Sequence, residues 1–89
     1  MRCFVYILKS EKNESLYIGI TEDIEKRLQR HNSGYVSSTK SKIPWKLLYS
    51  VSYQNRSEAF KVERKLKNLK SRKRVYESIK NQSPSAEQY

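Results

Sequence analysis

At 89 residues the chain has room for one domain and no second core. Its 19 Lys and Arg against 9 Asp and Glu give a formal net charge of +10, a balance that favours a polyanionic partner, nucleic acid ahead of an anionic membrane surface. No stretch is long and apolar enough to span a bilayer and the N-terminus lacks a signal-peptide core; the single cysteine excludes an internal disulfide and, with the single histidine, a four-ligand zinc site.

Residues 3–8 form an unbroken apolar run, predicting a central strand with both faces covered. Cys3 lies inside it and reads as a buried, inert thiol, which fits cytosolic (cytoplasmic) residence. After a polar loop over 10–15, residues 16–20 return as a second strand, pairing with the first as an antiparallel hairpin. On that strand Tyr17, Gly19 and Thr21 share one face, and Leu16, Ile18 and Ile20 the other. Glycine weakens a strand, so Gly19 predicts a close approach to the backbone. Thr21 or Asp23 caps a helix running to about Asn32, with Ser33-Gly34 as its stop. Ile24 and Leu28 form its inner stripe, and Arg27 and His31, four apart, stack on a neighbouring face.

The Ser- and Lys-rich stretch 33–44 predicts a surface loop. Over 45–53 the pattern alternates, placing Trp45, Leu47, Tyr49, Val51 and Tyr53 on one side of a third strand. A second helix starts near Asn55 or Ser57 and runs to about Leu69, with Ala59, Val62, Leu66 and Leu69 apolar and Phe60 at the margin. A third, very basic helix over 71–80 packs through Val75, Tyr76 and Ile79. The domain is thus expected over 1–81, with a disordered tail over 82–89.

Glu63 is the anomaly of the second helix, lying inside the apolar arc beside Ala59 and Leu66. A carboxylate there pairs, neutralises or binds a metal. Two readings stand: a salt bridge to Arg27 or a lysine, or a ligand for one Mg²⁺ or Mn²⁺. Asp23 is the only aspartate and the other acids are scattered, which excludes a two-metal centre. Tyr6 and Tyr17 read either as strand packing or as chemistry, since a tyrosine hydroxyl near cations loses its proton more easily. Arg27 offers a bidentate fork to phosphate or is a solvated helix arginine; His31 is a structural hydrogen-bonder or a phosphate contact. Lys61, Arg64, Lys65, Lys67, Lys70, Arg72, Lys73 and Arg74, continuing to Lys80, together with Lys40 and Lys42 of the loop, predict backbone contacts to nucleic acid that position it without reading sequence.

Taken in order, these residues resemble the GIY-YIG nuclease family, in its small stand-alone bacterial form, over about residues 3–80. Phe4-Val5-Tyr6 stands at the first family motif, with Phe4 in place of its glycine, and Tyr17-Ile18-Gly19 at the second. Arg27 matches the helix arginine, followed by His31-Asn32-Ser33-Gly34; Thr39 to Leu48, including Pro44-Trp45-Lys46-Leu47, resembles the connector of the stand-alone members, and Glu63 falls at the metal-binding glutamate. The resemblance implies an α/β domain whose central three-stranded antiparallel β-sheet is flanked by α-helices. It implies metal-dependent hydrolysis of DNA phosphodiesters with Mg²⁺ or Mn²⁺, Tyr6 as general base, Tyr17 in support, Arg27 and His31 at the phosphate, and Glu63 on the ion. The family's late asparagine has no match at Asn68 or Asn81. The absence of a DNA-targeting domain leaves open branched or structured DNA as the substrate, RNA, and a protein partner for targeting. A non-catalytic nucleic-acid-binding module of the same fold is the alternative reading.

Overall fold

The computed structural model describes residues 2–81 together with 87 and 88. Strand β1, Cys3–Ser10, is central because it is apolar on both faces: Cys3, Val5 and Ile7 point one way and Tyr6 and Leu8 the other, all buried. It pairs antiparallel with β2, Leu16–Thr21, on one side and with β3, Trp45–Tyr53, on the other. The register sets Tyr6 opposite Gly19 and Leu8 opposite Tyr17. This three-stranded antiparallel sheet with helices on it is the architecture the sequence implied. A two-residue strand β4, Glu87–Gln88, pairs with Tyr49 and Ser50 and gives the order β2-β1-β3-β4. Of the tail expected to be disordered, 82–86 and 89 lie outside the described residues.

Helix α1, Ile24–Asn32, begins at Asp23, whose carboxylate accepts the Lys26 amide, and ends at Ser33. Helix α2, Arg56–Asn68, begins at Asn55, whose side chain accepts the Glu58 amide, and ends at Leu69. Helix α3, Arg72–Asn81, follows. Ala59 and Leu66 of α2 and Val75 and Ile79 of α3 bury against Val5, Ile7 and Ile18, forming the aliphatic core. Leu28 of α1 packs on the opposite face, among Tyr6, Leu8, Tyr17 and Trp45.

Two expectations are corrected. Trp45, Leu47, Tyr49, Val51 and Tyr53 do not share a side. Ile7 faces Tyr49 and Leu8 faces Leu47, so Leu48 is an extra, bulged residue. The bulge shifts the alternation: Leu48, Tyr49, Val51 and Tyr53 pack with the aliphatic core, whereas Trp45 and Leu47 join the Tyr6 face. The stretch 33–44 is also more than a surface loop. It contains a 3-10 turn, Lys40–Lys42, and buries Thr39 to 2% exposure.

Candidate active site

The Tyr6 face of the sheet holds a hydrogen-bonded chain. Gly19 makes room for it: a Cβ at this position would stand 2.7 Å from the Tyr6 hydroxyl oxygen, so the predicted close approach is that of the Tyr6 side chain. The Tyr6 hydroxyl lies 3.1 Å from His31 Nε2, and His31 Nδ1 lies 2.9 Å from Thr39 Oγ1. All three residues are buried. Thr39 donates its own hydroxyl hydrogen to the Val36 carbonyl, leaving its oxygen to accept from His31 Nδ1–H. The imidazole then presents a lone pair at Nε2, which accepts the Tyr6 proton. The Trp45 indole N–H fixes Thr39 by donating to its carbonyl at 3.0 Å. Asn32 clamps Trp45 in turn: its Nδ2 donates to the Trp45 carbonyl at 3.0 Å and its Oδ1 accepts the Trp45 amide at 2.6 Å.

Tyr17 covers this chain from the half-exposed side. Its ring centre lies 4.6 Å from that of His31 and 6.1 Å from that of Tyr6, and it meets Trp45 edge-on at 6.3 Å. Arg27, half-buried on α1, acts electrostatically on both members of the pair. His31 is held below the usual imidazole range, first by burial and then by the Arg27 charge, so it stays neutral near pH 7. The expectation that cations would make a tyrosine here easier to ionise is reversed for Tyr6. Burial and the neighbouring Tyr17 push its hydroxyl well above the usual range, and Arg27 offsets this only in part. Desolvation of a phenolate outweighs one partly screened guanidinium. Tyr6 is therefore a protonated donor to His31.

The structure thus brings Tyr6, Tyr17 and His31 together, with Arg27 near enough to act electrostatically on Tyr6 and His31. Glu63 stands further out electrostatically: its carboxylate acts on Tyr6 more weakly than Arg27 does. It is 9% exposed on α2, beside Ala59 and Leu66, and pairs with Lys67 at 3.6 Å rather than with Arg27. Lys67 is half-exposed, so this pair is weak and Lys67 is free to swing away. As a lone hard oxygen donor, Glu63 fits an ion that is otherwise held by water and phosphate, the habit of Mg²⁺. Among the described residues no three His, Cys, Asp or Glu side chains cluster as a metal cage.

The predicted phosphate-contacting cations divide. Lys61, Arg64, Lys65, Lys70, Lys73 and Arg74 are exposed on α2, α3 and the turn between them, with Arg64 stacked 5.7 Å over Phe60. Arg72 is tied down, donating to the Glu14 carbonyl at 3.0 Å. Lys40 is exposed in the 3-10 turn; Lys42 is half-buried, and its carbonyl accepts the Ser10 hydroxyl. Helices α2 and α3 cover the aliphatic face of the sheet through Ala59, Leu66, Val75 and Ile79, yet Lys67, Lys70 and Arg72 share a cleft with Tyr17 of the candidate site. Thr39, anticipated only as the start of the connector, was not foreseen as the partner of His31. A buried histidine needs a partner for each ring nitrogen, but Ser37, Ser38 and Thr39 offer the same hydroxyl chemistry in a row, and composition gave no reason to choose.

Comparison with known proteins identifies the family. A family profile described as the GIY-YIG catalytic domain matches residues 2–77. The UPF0213 protein YsiG of Lactococcus lactis subsp. lactis is 43% identical over 79 residues, covering 88% of this chain and 75% of its own. The UPF0213 protein CPE1444 of Clostridium perfringens is 39% identical, covering 97% of this chain and 91% of its own. The solution NMR structure of the UPF0213 protein BH0048 from Bacillus halodurans superposes with a TM-score of 0.59 at 28% identity, covering 96% of this chain and 89% of that one. With its motifs, its sheet and these relatives in agreement, the chain belongs to the GIY-YIG nuclease family, among the small bacterial UPF0213 proteins.

Proposed function

We propose that the protein is a divalent-metal-dependent endonuclease that hydrolyses DNA phosphodiester bonds. The observation that carries this reading is the Tyr6–His31–Thr39 chain with the Arg27 charge acting on both Tyr6 and His31. Burial keeps Tyr6 protonated near neutral pH, so free phenolate is too scarce to serve as the base. As a relay it works: Tyr6 accepts a proton from water on its oxygen while passing its own to His31 Nε2. Thr39 stabilises the resulting imidazolium through Nδ1–H. The water oxygen bonds to phosphorus, the bond from phosphorus to the 3′-oxygen breaks, and that oxygen takes a proton from solvent, leaving a 5′-phosphate and a 3′-hydroxyl. Arg27 supplies N–H donors to the phosphoryl oxygens as their charge grows, and Tyr17 holds water or phosphate at the open side of the pair. Glu63 is the residue that would hold Mg²⁺ or Mn²⁺, which when bound neutralises phosphate charge and favours departure of the 3′-oxygen. Cytoplasmic location is part of the same proposal, supported by the buried free thiol of Cys3; among the described residues no helix is long and apolar enough to cross a membrane.

The test is cleavage of labelled duplex, flap, junction and single-stranded DNA with Mg²⁺ or Mn²⁺, beside EDTA controls and the Arg27→Ala and Glu63→Ala variants. Arg27→Ala should cost on the order of 10²–10³ in rate, the usual loss when one donor to a developing oxyanion is removed, and Glu63→Ala should abolish metal-dependent cutting while the fold persists. DNA binding that is unaffected by EDTA and by Glu63→Ala, with no product from wild type on any substrate, would instead make this a binding module.

A further inference from the structure

Beside Arg27, on the outer side of α1, an open cleft of about 790 Å³ is walled by Lys26, Arg27, Arg30, Arg56 and Tyr35. Tyr35 is the most conspicuous side chain of this region. It is 81% exposed, against 47% for Phe60, the other large apolar side chain left in solvent among the described residues. The backbone puts it there. After the helix cap at Ser33, Gly34 takes φ +87°, a left-handed turn that carries the chain away from α1. No side chain would obstruct a Cβ at Gly34 more closely than 4.0 Å, so the glycine serves the turn and not a tight contact. The cations outnumber the carboxylates of Glu22 and Asp23 in the same walls, and Asp23 is already engaged with the Lys26 amide.

We infer that this cleft is a second nucleic-acid subsite, which takes an unpaired DNA base on the face of Tyr35 while Arg30, Lys26 and Arg56 hold the adjoining phosphates. Exposed aromatics flanked by Arg and Lys are how proteins grip single strands, because every base has a π-face while paired bases are already stacked. Arg27 and Arg30 lie one α-helical turn apart, about 4.5 Å along the axis, so a strand leaving the Arg27 phosphate passes the second guanidinium directly. The cleft therefore favours DNA with a single-stranded tail or branch next to the scissile bond over uninterrupted duplex. The inference rests on the proposal that nucleic acid is the substrate of the Arg27 site.

The experiment measures binding by fluorescence anisotropy in EDTA, so that nothing is cut. A blunt DNA duplex is compared with the same duplex carrying a four-nucleotide single-stranded tail. Tyr35→Ala should weaken binding of the tailed duplex by about 5- to 150-fold, the range for losing one stacked base, and leave the blunt duplex nearly unchanged. Tyr35→Phe should bind as wild type does. Arg30→Ala should weaken both probes and lower the salt slope by about one. Equal losses on both probes with Tyr35→Ala, or no loss on either, would overturn the subsite. Cleavage with Mg²⁺ or Mn²⁺ is scored separately. Tail binding that depends on Tyr35 in a protein that never cuts upholds the subsite and removes the nuclease; cutting that is indifferent to Tyr35→Ala does the reverse.

Discussion

The two faces of the sheet are built from the same three strands but by different chemistry. One face, Val5, Ile7 and Ile18 under Ala59, Leu66, Val75 and Ile79, is mainly aliphatic, with Tyr49 buried in it, and is covered by α2 and α3. The other, Tyr6, Tyr17 and Trp45 with His31 and Thr39, is aromatic and hydrogen-bonded and is covered by α1 and the 33–44 connection. In a domain of 89 residues no apolar area is spare. The aliphatic face therefore carries most of the stability, which frees the second face to bury a tyrosine, a histidine and a threonine at the cost of desolvating each. The Leu48 bulge makes this division workable. It lets β3 give Tyr49 and Val51 to one face and Trp45, the residue that anchors Thr39, to the other.

The largest expected effect tests the stabilising face. Leu66 is 1% exposed, so Leu66→Ala should lower stability by about 2–5 kcal/mol, the range for a truncated buried leucine. Urea denaturation would read this directly. DNA cleavage per folded molecule should fall far less than with Glu63→Ala at a temperature where the variant stays folded, although Leu66 stands three residues from Glu63 on the same helix. A loss of cleavage without a loss of stability would show that the two faces are not separable.

How far the sequence disclosed each face follows from the physics of its patterns. The first three strands, the three helices and the pairing of Arg27 with His31 were legible, because hydrophobic alternation, caps and i,i+4 spacing are local signals, whereas the grouping of these two with Tyr6 and Tyr17 was implied by the family resemblance alone. The close approach at Gly19 was legible for the same reason, although not its author, the Tyr6 hydroxyl. The bulge was not. A strand with one extra residue reads as a continuous alternation, and only the partner strand reveals that Ile7 and Leu8 face Tyr49 and Leu47. The state of Tyr6 was misjudged because sequence counts nearby charges but does not see burial, and here burial governs. Thr39 lay hidden in a Ser- and Lys-rich stretch whose role depends on a contact eight residues back.

A middle-sized effect tests whether Thr39 belongs to the second face's chemistry or only to its packing. Thr39→Val keeps the shape but removes the acceptor of His31 Nδ1–H, leaving a buried donor unpaired at a cost of about 1–3 kcal/mol. Thr39→Ser should recover most of that loss. If Thr39 stabilises the protonated imidazole during cleavage, Thr39→Val should also move the acid limb of the cleavage pH profile to lower pH, because the imidazolium becomes harder to form. Lost stability with an unmoved limb would reduce Thr39 to a packing residue.

The smallest effect is the pH dependence that this face imposes on the whole domain. The folded state holds His31 below its unfolded value of about 6.5, so under mildly acidic conditions the unfolded chain binds more protons than the folded one. Stability must then rise with pH across this window: it is fully present above about pH 6.5 and is lost as pH falls toward the folded value. Tyr6, raised in the fold, acts at the other end, where stability falls as pH rises through the unfolded tyrosine value of about 10. Melting temperatures of wild type and His31→Gln between about pH 7.5 and 5.5 isolate the first effect. Wild type should lose more on acidification than the variant, since Gln does not titrate. Parallel curves would mean that His31 is not the group being charged, and that the neutral imidazole is not what the buried face protects.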